Sequence, residues 1–186
     1  VNLSQTTLRT PRLLLRPLQV RDCGALVANL NNLAIAQTLL RSPYPYTEQD
    51  ALSFVHVAME SRALGMWMQC GIDLCASGAL IGSIGLSLTE EFMRADVGYW
   101  ISEACWNRGY ATEALQAMID FGFSQLGLIR IQANHFSENP SSGRVMQKAG
   151  MTFEGMKRKY FIRFGQPRDV AFYGILREDW EAARER

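Results

Sequence analysis

The sequence predicts a mixed α/β (α+β) domain, a mostly antiparallel sheet flanked by helices, and three observations carry that prediction. Three strand-like runs, near 66–73, 79–88 and 94–101, follow one another across Gly/Ser/Asp or acidic turn material, the pattern of an antiparallel meander. Ala111, Ala114, Leu115, Met118, Ile119, Gly122 and Leu126 then recur at helical spacing, so one face of a long helix is apolar and Gly127 stands ready to end it. Strand and helix signals alternate on both sides of this centre.

Each flanking element has its own local reason. Arg12-Leu13-Leu14-Leu15-Arg16 before Pro17 reads as a first strand, and Asp22 is placed to cap a helix running to about Leu30. Thr47-Glu48-Gln49-Asp50 resembles a capping box, with an acid three residues after the hydroxyl, and opens a helix to about Ala63. Beyond the central helix, Leu128–Phe136 reads as a strand and Pro140–Ala149 as a short helix stopped by Gly150. Met151–Phe164 and Asp169–Leu176 then form a hairpin across Gly165-Gln166-Pro167.

Composition bounds the function. With 186 residues, 48% hydrophobic and 20% charged, the chain has the size and make-up of one globular domain, 1–186, able to bury a continuous core. Nineteen Lys and Arg against 18 Asp and Glu leave a net charge of +1, so no global field gathers nucleic acid or anionic lipid. Lys157, Arg158, Lys159, Arg163 and Arg168, interleaved with Tyr160, Phe161 and Phe164, look at first like a nucleic-acid surface, but alternation along a hairpin, aromatics in and charges out, explains the same pattern and the near-neutral chain charge favours it. No apolar run reaches the ~20 residues of a membrane span, and Val1-Asn2-Leu3-Ser4 lacks a basic or apolar leader pattern. The expectation is a soluble, cytoplasmic protein. Cysteines 23, 70, 75 and 105 form no CxxC, and with histidines only at 56 and 135 no metal site is expected, so the cysteines are expected as free thiols.

Between the strand ending at Ile101 and the long helix lies Trp106-Asn107-Arg108-Gly109-Tyr110-Ala111-Thr112-Glu113. A tight glycine-containing loop leading into a helix N-terminus offers free backbone N–H groups and a positive dipole end, which suits a pyrophosphate, and Arg108 adds charge. Taken alone, a glycine before a helix is equally a plain turn. Neither Gly-Lys-Ser/Thr nor GxGxxG is present.

Four segments in order raise the specificity: Val97-Gly98-Tyr99-Trp100-Ile101, Trp106 through Leu115, Asn139-Pro140-Ser141-Ser142, and Lys148-Ala149-Gly150-Met151. Together they resemble the GNAT superfamily of acetyl-CoA-dependent N-acetyltransferases. The opening Thr10-Pro11-Arg12-Leu13-Leu14-Leu15-Arg16-Pro17 and the Gly-Tyr-Trp strand are similar to its Rim-type, ribosomal-protein N-terminal branch. The likeness covers about 9–180 and implies a splayed sheet with acetyl-CoA where the strand ending at Ile101 parts from 128–136. It implies that the backbone at Trp100 and Ile101 lines the pantetheine arm, that Arg108, Gly109, Tyr110, Ala111 and Thr112 hold the pyrophosphate, and that Asn139 and Ser142 sit beside the thiol. Lys148 is assigned either to a CoA phosphate or to its helix C-terminus. Many relatives carry a Tyr seven residues after the Asn as the acid for the thiolate; this chain has Met146 there.

Acyl transfer to an amine needs a base, a polarised carbonyl and a proton for the leaving sulfur. Asp96 stands where relatives often place an acid on the central strand, and its other reading is a strand-edge carboxylate paired with Arg94 or another basic neighbour; Glu103 or a water chain is the second choice of base. The N–H of Trp100 or Ile101 polarises the carbonyl if a bulge frees it. Ser142 is the proton donor to sulfur, or a cap of the Pro140 helix, as Asn139 also is. Cys105 lies near Arg108 but has no His partner, so direct attack in a ternary complex is expected over an acyl-enzyme. His135 is read as structural and His56 is given no role. The expected acceptor is a peptide N-terminus, with a small amine as the alternative and a silent acyl-CoA-binding module as the rival class. A homodimer is left open as the assembly, and neither nucleic acid nor membrane is an expected partner.

Overall fold

The structure, a computed structural model, describes residues 3–185. The elements are β1 (Leu8–Arg9), β2 (Leu13–Pro17), α1 (Cys23–Leu30), α2 (Leu33–Ala36), α3 (Glu48–Ala63), β3 (Trp67–Leu74), β4 (Leu80–Thr89) and β5 (Arg94–Ile101). They continue as α4 (Tyr110–Ser124), β6 (Arg130–Phe136), α5 (Pro140–Lys148), β7 (Thr152–Arg163), β8 (Gln166–Leu176) and α6 (Arg177–Arg184). The eight strands form one sheet in the order β1-β2-β3-β4-β5-β6-β8-β7. Every pairing is antiparallel except β5 with β6, which run parallel. The predicted meander is β3-β4-β5; β1, α2 and α6 were not foreseen, being short or, for α6, strongly polar.

The parallel pair is what makes a site. It holds only at Arg94–Asp96 against Arg130–Gln132, and beyond those residues the two strands separate. The core divides by sheet face. On one, Ala95, Val97 and Ile101 pack with Leu115, Met118 and Ile119 of α4, and Gly122 lets the helix approach, since a Cβ there would lie 2.7 Å from Ile131. On the other, Trp67 and Trp100 pack with Leu26, Leu30, Val55 and Ala58 of α1 and α3. α4 ends at Ser124, and Gly127 turns the chain into β6 at φ +68°.

Caps divide the predictions. Thr47 Oγ1 accepts from the Asp50 N–H (3.2 Å) while Asp50 accepts from the Thr47 N–H (2.8 Å), the predicted box. Asp22 stands before α1 but does not cap it. Its buried carboxylate instead accepts from both terminal nitrogens of Arg16 at 2.8 Å and from the Gln19 N–H. An ionic partner out-competes a helix amide for a buried carboxylate. All four cysteines are free thiols.

The hairpin departs most from expectation. Its turn is Phe164-Gly165, both at positive φ, and Pro167 belongs to β8 opposite Ile162, past the last residue that pairs with β6. From Lys157 to Phe161 a four-residue step of β7 faces a two-residue step of β8, which breaks the inward and outward alternation. On this edge strand and its turn Phe153, Tyr160 and Phe164 are about half exposed, Ile162 is 72% exposed and Arg163 is buried. Arg163 donates to the carbonyls of Ala36 (2.5 Å), Ser42 (2.5 Å) and Leu40 (3.3 Å), pinning the segment that follows α2. Replacing Arg163 by Met leaves these acceptors unmade, at roughly 1–3 kcal/mol for each that stays buried. The expected result is a fall of several degrees in Tm with early proteolysis within 37–46; unchanged Tm and cleavage would show that the pin is dispensable.

Candidate active site

The separating strands open a cleft of about 1210 Å³, lined from β5, the loop to α4, the start of α5, the segment after α2 and residues of one face of β3 and β4. Asp96, Trp100, Ile101, Gly109, Tyr110, Ala111, Thr112, Asn139, Ser142 and Lys148 all contribute to its lining. Arg108 does not line it, but its carbonyl accepts from Arg12 Nη1 at 2.9 Å, which fixes the loop from β2's approach. Glu103 lies outside, on the short turn after β5, where Asn32 donates to it at 2.6 Å.

The loop is shaped to accept an anion. Asn107 and Gly109 sit at φ +60° and +79°, and the α4 helix starts with no side-chain cap. After Trp106, whose N–H donates to Glu103 at 3.1 Å, the next amide with a backbone acceptor is Glu113, on Gly109 at 3.0 Å. Among the described residues no acceptor takes the N–H groups of Arg108 to Thr112. Free amides at a helix N-terminus with no capping side chain form a cradle for phosphate oxygens. Arg12 braces it: its Nε donates to Glu113 (2.6 Å), its guanidinium lies 4.6 Å from the Tyr110 ring centroid, and Thr10 also donates to Glu113 (2.6 Å). Burial alone would raise the Glu113 carboxyl, but these hydrogen bonds outweigh it and hold it below its usual range. Arg12 was missed because nothing within its own segment marks a contact about a hundred residues away.

Ladder alternation settles which amides face the opening. The Ser102 N–H donates to Ile81 on β4's side (2.7 Å), and Trp100 pairs with Ser83 in the same register. The Trp100 amide thus points at β4, and those of Tyr99 and Ile101 point into the gap. Trp106 Nε1 donates to the Ile101 carbonyl at 2.7 Å, consistent with that direction. No bulge interrupts β4-β5; divergence from β6 frees the amide. Of the two amides expected, that of Ile101 faces the gap.

Asp96 and Tyr99 project from opposite faces of β5, three residues apart on a strand with period two. Asp96 makes no ion pair with Arg94, which stacks over Phe92 at 5.4 Å; its oxygen accepts from Gln132 Nε2 at 2.8 Å. Tyr99 reaches α5, its hydroxyl 2.9 Å from Ser142 Oγ and 3.2 Å from the Ser142 carbonyl. Burial pushes the Tyr99 phenol up, against a smaller lowering by the Ser142 bond, so it stays protonated across the working range. A phenol therefore stands beside Ser142 although Met146 is a buried core residue. The signal for Tyr99 was the alternation that puts it on the α5 side with Val97 and Ile101. Asn139 precedes α5 without capping it; its carbonyl accepts the Ser142 N–H at 3.1 Å. His135 Nδ1 lies 2.8 Å from the Phe136 carbonyl, and Cys105 lines the cleft.

Comparisons with known proteins agree with this geometry. Residues 12–152 match the family model described as "Acetyltransferase (GNAT) domain". The chain is similar to the uncharacterized N-acetyltransferase YoaA of Bacillus subtilis (strain 168), 32% identical over 171 residues, 91% of this chain and 96% of YoaA. YdaF of the same organism, named provisionally as a ribosomal N-acetyltransferase, is 30% identical over 112 residues, 60% of this chain and 61% of YdaF. The crystal structure of a GNAT-family acetyltransferase from Bacillus anthracis superposes with a TM-score of 0.84 at 28% identity, covering 93% of this chain and 99% of that one.

Proposed function

The chain belongs to the GNAT family and is an acetyl-CoA-dependent N-acetyltransferase; on that premise we propose that its acceptor is the α-amine of a protein N-terminus, acetylated by direct attack in a ternary complex. The observation that carries the acceptor is the wall of the cleft. Tyr46, Phe54, Trp67 and Phe161 line it beside Asp96, and Asp50 and Asp96 are the only carboxylates among the lining residues. A polyamine, charged along its length, is best held by carboxylates spaced along a channel. One amine led by a neutral backbone fits aromatic walls with one acid at the fork. The provisional name of YdaF, a ribosomal N-acetyltransferase, is in keeping with a protein acceptor.

Acetyl-CoA supplies the acetyl group as a thioester. The free amides of Arg108 to Thr112 fit its pyrophosphate, as the uncapped helix start and the glycine at φ +79° indicate. Lys148 and Arg108 add positive charge near it. Asp96 takes the proton of the incoming amine from one face of β5. The Ile101 N–H donates to the acyl oxygen as negative charge develops there. Ser142 donates its proton to the departing sulfur from the other face and recovers one from solvent, while the Tyr99 hydroxyl, 2.9 Å from Ser142 Oγ, holds that side chain in place.

The test is CoA release with peptides bearing free or acetyl-blocked N-termini, amino acids, polyamines and aminoglycosides. Free peptides should turn over and blocked ones should not. A small amine with a higher kcat/KM than any peptide would overturn the acceptor assignment. No release with any acceptor, beside a raised Tm with acetyl-CoA, would mark a silent acyl-CoA binder. At about 100 times Kd the binding itself adds about 2.7 kcal/mol of stability.

A further inference from the structure

We propose that Gln132, held by an Arg130–Glu154 pair that crosses β8 at Gly174, is a positioning residue that orients the Asp96 carboxylate. This rests on the reading of Asp96 as the base. Asp96 is bound through one of its oxygens, by Gln132 Nε2 at 2.8 Å. The other end of the same amide, Gln132 Oε1, accepts from Arg130 Nε at 3.1 Å. A guanidinium only donates, so this contact fixes which end of the amide is oxygen and turns the NH2 toward Asp96. Arg130 is locked in turn: Nη1 donates to Glu154 Oε1 at 2.7 Å and Nη2 to Oε2, a bidentate pair. The hydrogen bond to Glu154 raises the guanidinium, and that to Arg130 lowers the carboxyl, so both stay charged.

The position of Gly174 is the independent observation. Arg130 lies on β6 and Glu154 on β7, with β8 between them. Gly174 faces Gln132 on one side and Thr152 on the other, where the pair passes over. A Cβ at this position would lie 2.7 Å from Arg130 Nη2 and collide with Glu154 Oε1. Gly174 is not among the glycines of positive φ, so backbone conformation does not call for glycine here; clearance for the ion pair does. The relay runs from the solvent-facing Glu154 to the last paired residues of β5 and β6, where the cleft begins. It leaves the second Asp96 oxygen free for the amine.

The experiment is a double-mutant cycle in kcat with the best acceptor found, using Arg130→Met, Gln132→Leu and Asp96→Asn. Each of the first two should lower kcat on the order of tenfold through lost orientation, with acetyl-CoA Kd and the Tm gain on binding unchanged. Combined with Asp96→Asn, Arg130→Met should cost less than about twofold more, since its effect passes through the carboxylate already removed. Gly174→Ala, which displaces the pair while leaving Arg130, Gln132 and Glu154 unsubstituted, should reproduce the Arg130→Met loss. Wild-type kcat in Arg130→Met and Gln132→Leu, in an enzyme that Asp96→Asn impairs, would overturn the relay alone. An equal loss from Arg130→Met in both backgrounds would assign Arg130 to fold support and overturn it too. Full speed in Asp96→Asn would overturn the base assignment and the relay with it.

Discussion

Asp96→Asn is expected to lower kcat roughly 10²–10⁴-fold while acetyl-CoA still binds, the scale of help from a positioned proton acceptor. The asparagine keeps the size of the side chain and still accepts from Gln132 Nε2, so the fold at the fork should survive. The loss should shrink as pH rises, because solvent then supplies free amine without the carboxylate. Ser142→Ala should behave differently. Its loss, about 10–100-fold, should persist at high pH, because more free amine does nothing for the leaving sulfur. In that variant the Tyr99 hydroxyl keeps the backbone carbonyl of residue 142 as acceptor, so packing against α5 is retained. pH–rate profiles of the two variants check both roles. A near-normal kcat for Asp96→Asn at neutral pH would remove Asp96 as base, and equal, pH-independent losses in both would mean lost positioning.

Gly109→Asp should abolish the stabilisation by acetyl-CoA. The residue sits at φ +79°, where a side chain costs about 1–2 kcal/mol. Its Cβ would lie 3.4 Å from Arg12 Nη2, so the new carboxylate would compete with Glu113 and the Arg108 carbonyl for the brace. It would also bring negative charge to the amides of Tyr110 to Thr112. Losing two charge-assisted hydrogen bonds at about 1.5 kcal/mol each is roughly a 100-fold rise in Kd. Gly109→Ala, which adds only the strain, should weaken binding by about tenfold. Titration of Tm against acetyl-CoA reads both; binding retained in Gly109→Asp would reduce the loop to a turn.

Local sequence determined what depends on neighbours within one element. The spacing from Ala111 to Leu126 specified α4, the Thr47–Asp50 pair specified the start of α3, and the glycine loop before α4 located the anion cradle, because helical period, capping and positive φ act over a few residues. The ordered segments from Val97 to Met151 identified the family. The choice between alternatives was made by contacts between distant residues. Ladder alternation against β4 chose the Ile101 amide over Trp100, the α5 contact gave Ser142 a phenol from β5, and the parallel partner gave Asp96 a glutamine in place of Arg94. The hairpin lost its alternation to a bulge, and Arg163 found carbonyls more than a hundred residues away. Strand order and register set these outcomes. They arise only when the sheet assembles, and a change of one residue in register exchanges the faces on which every side chain lies.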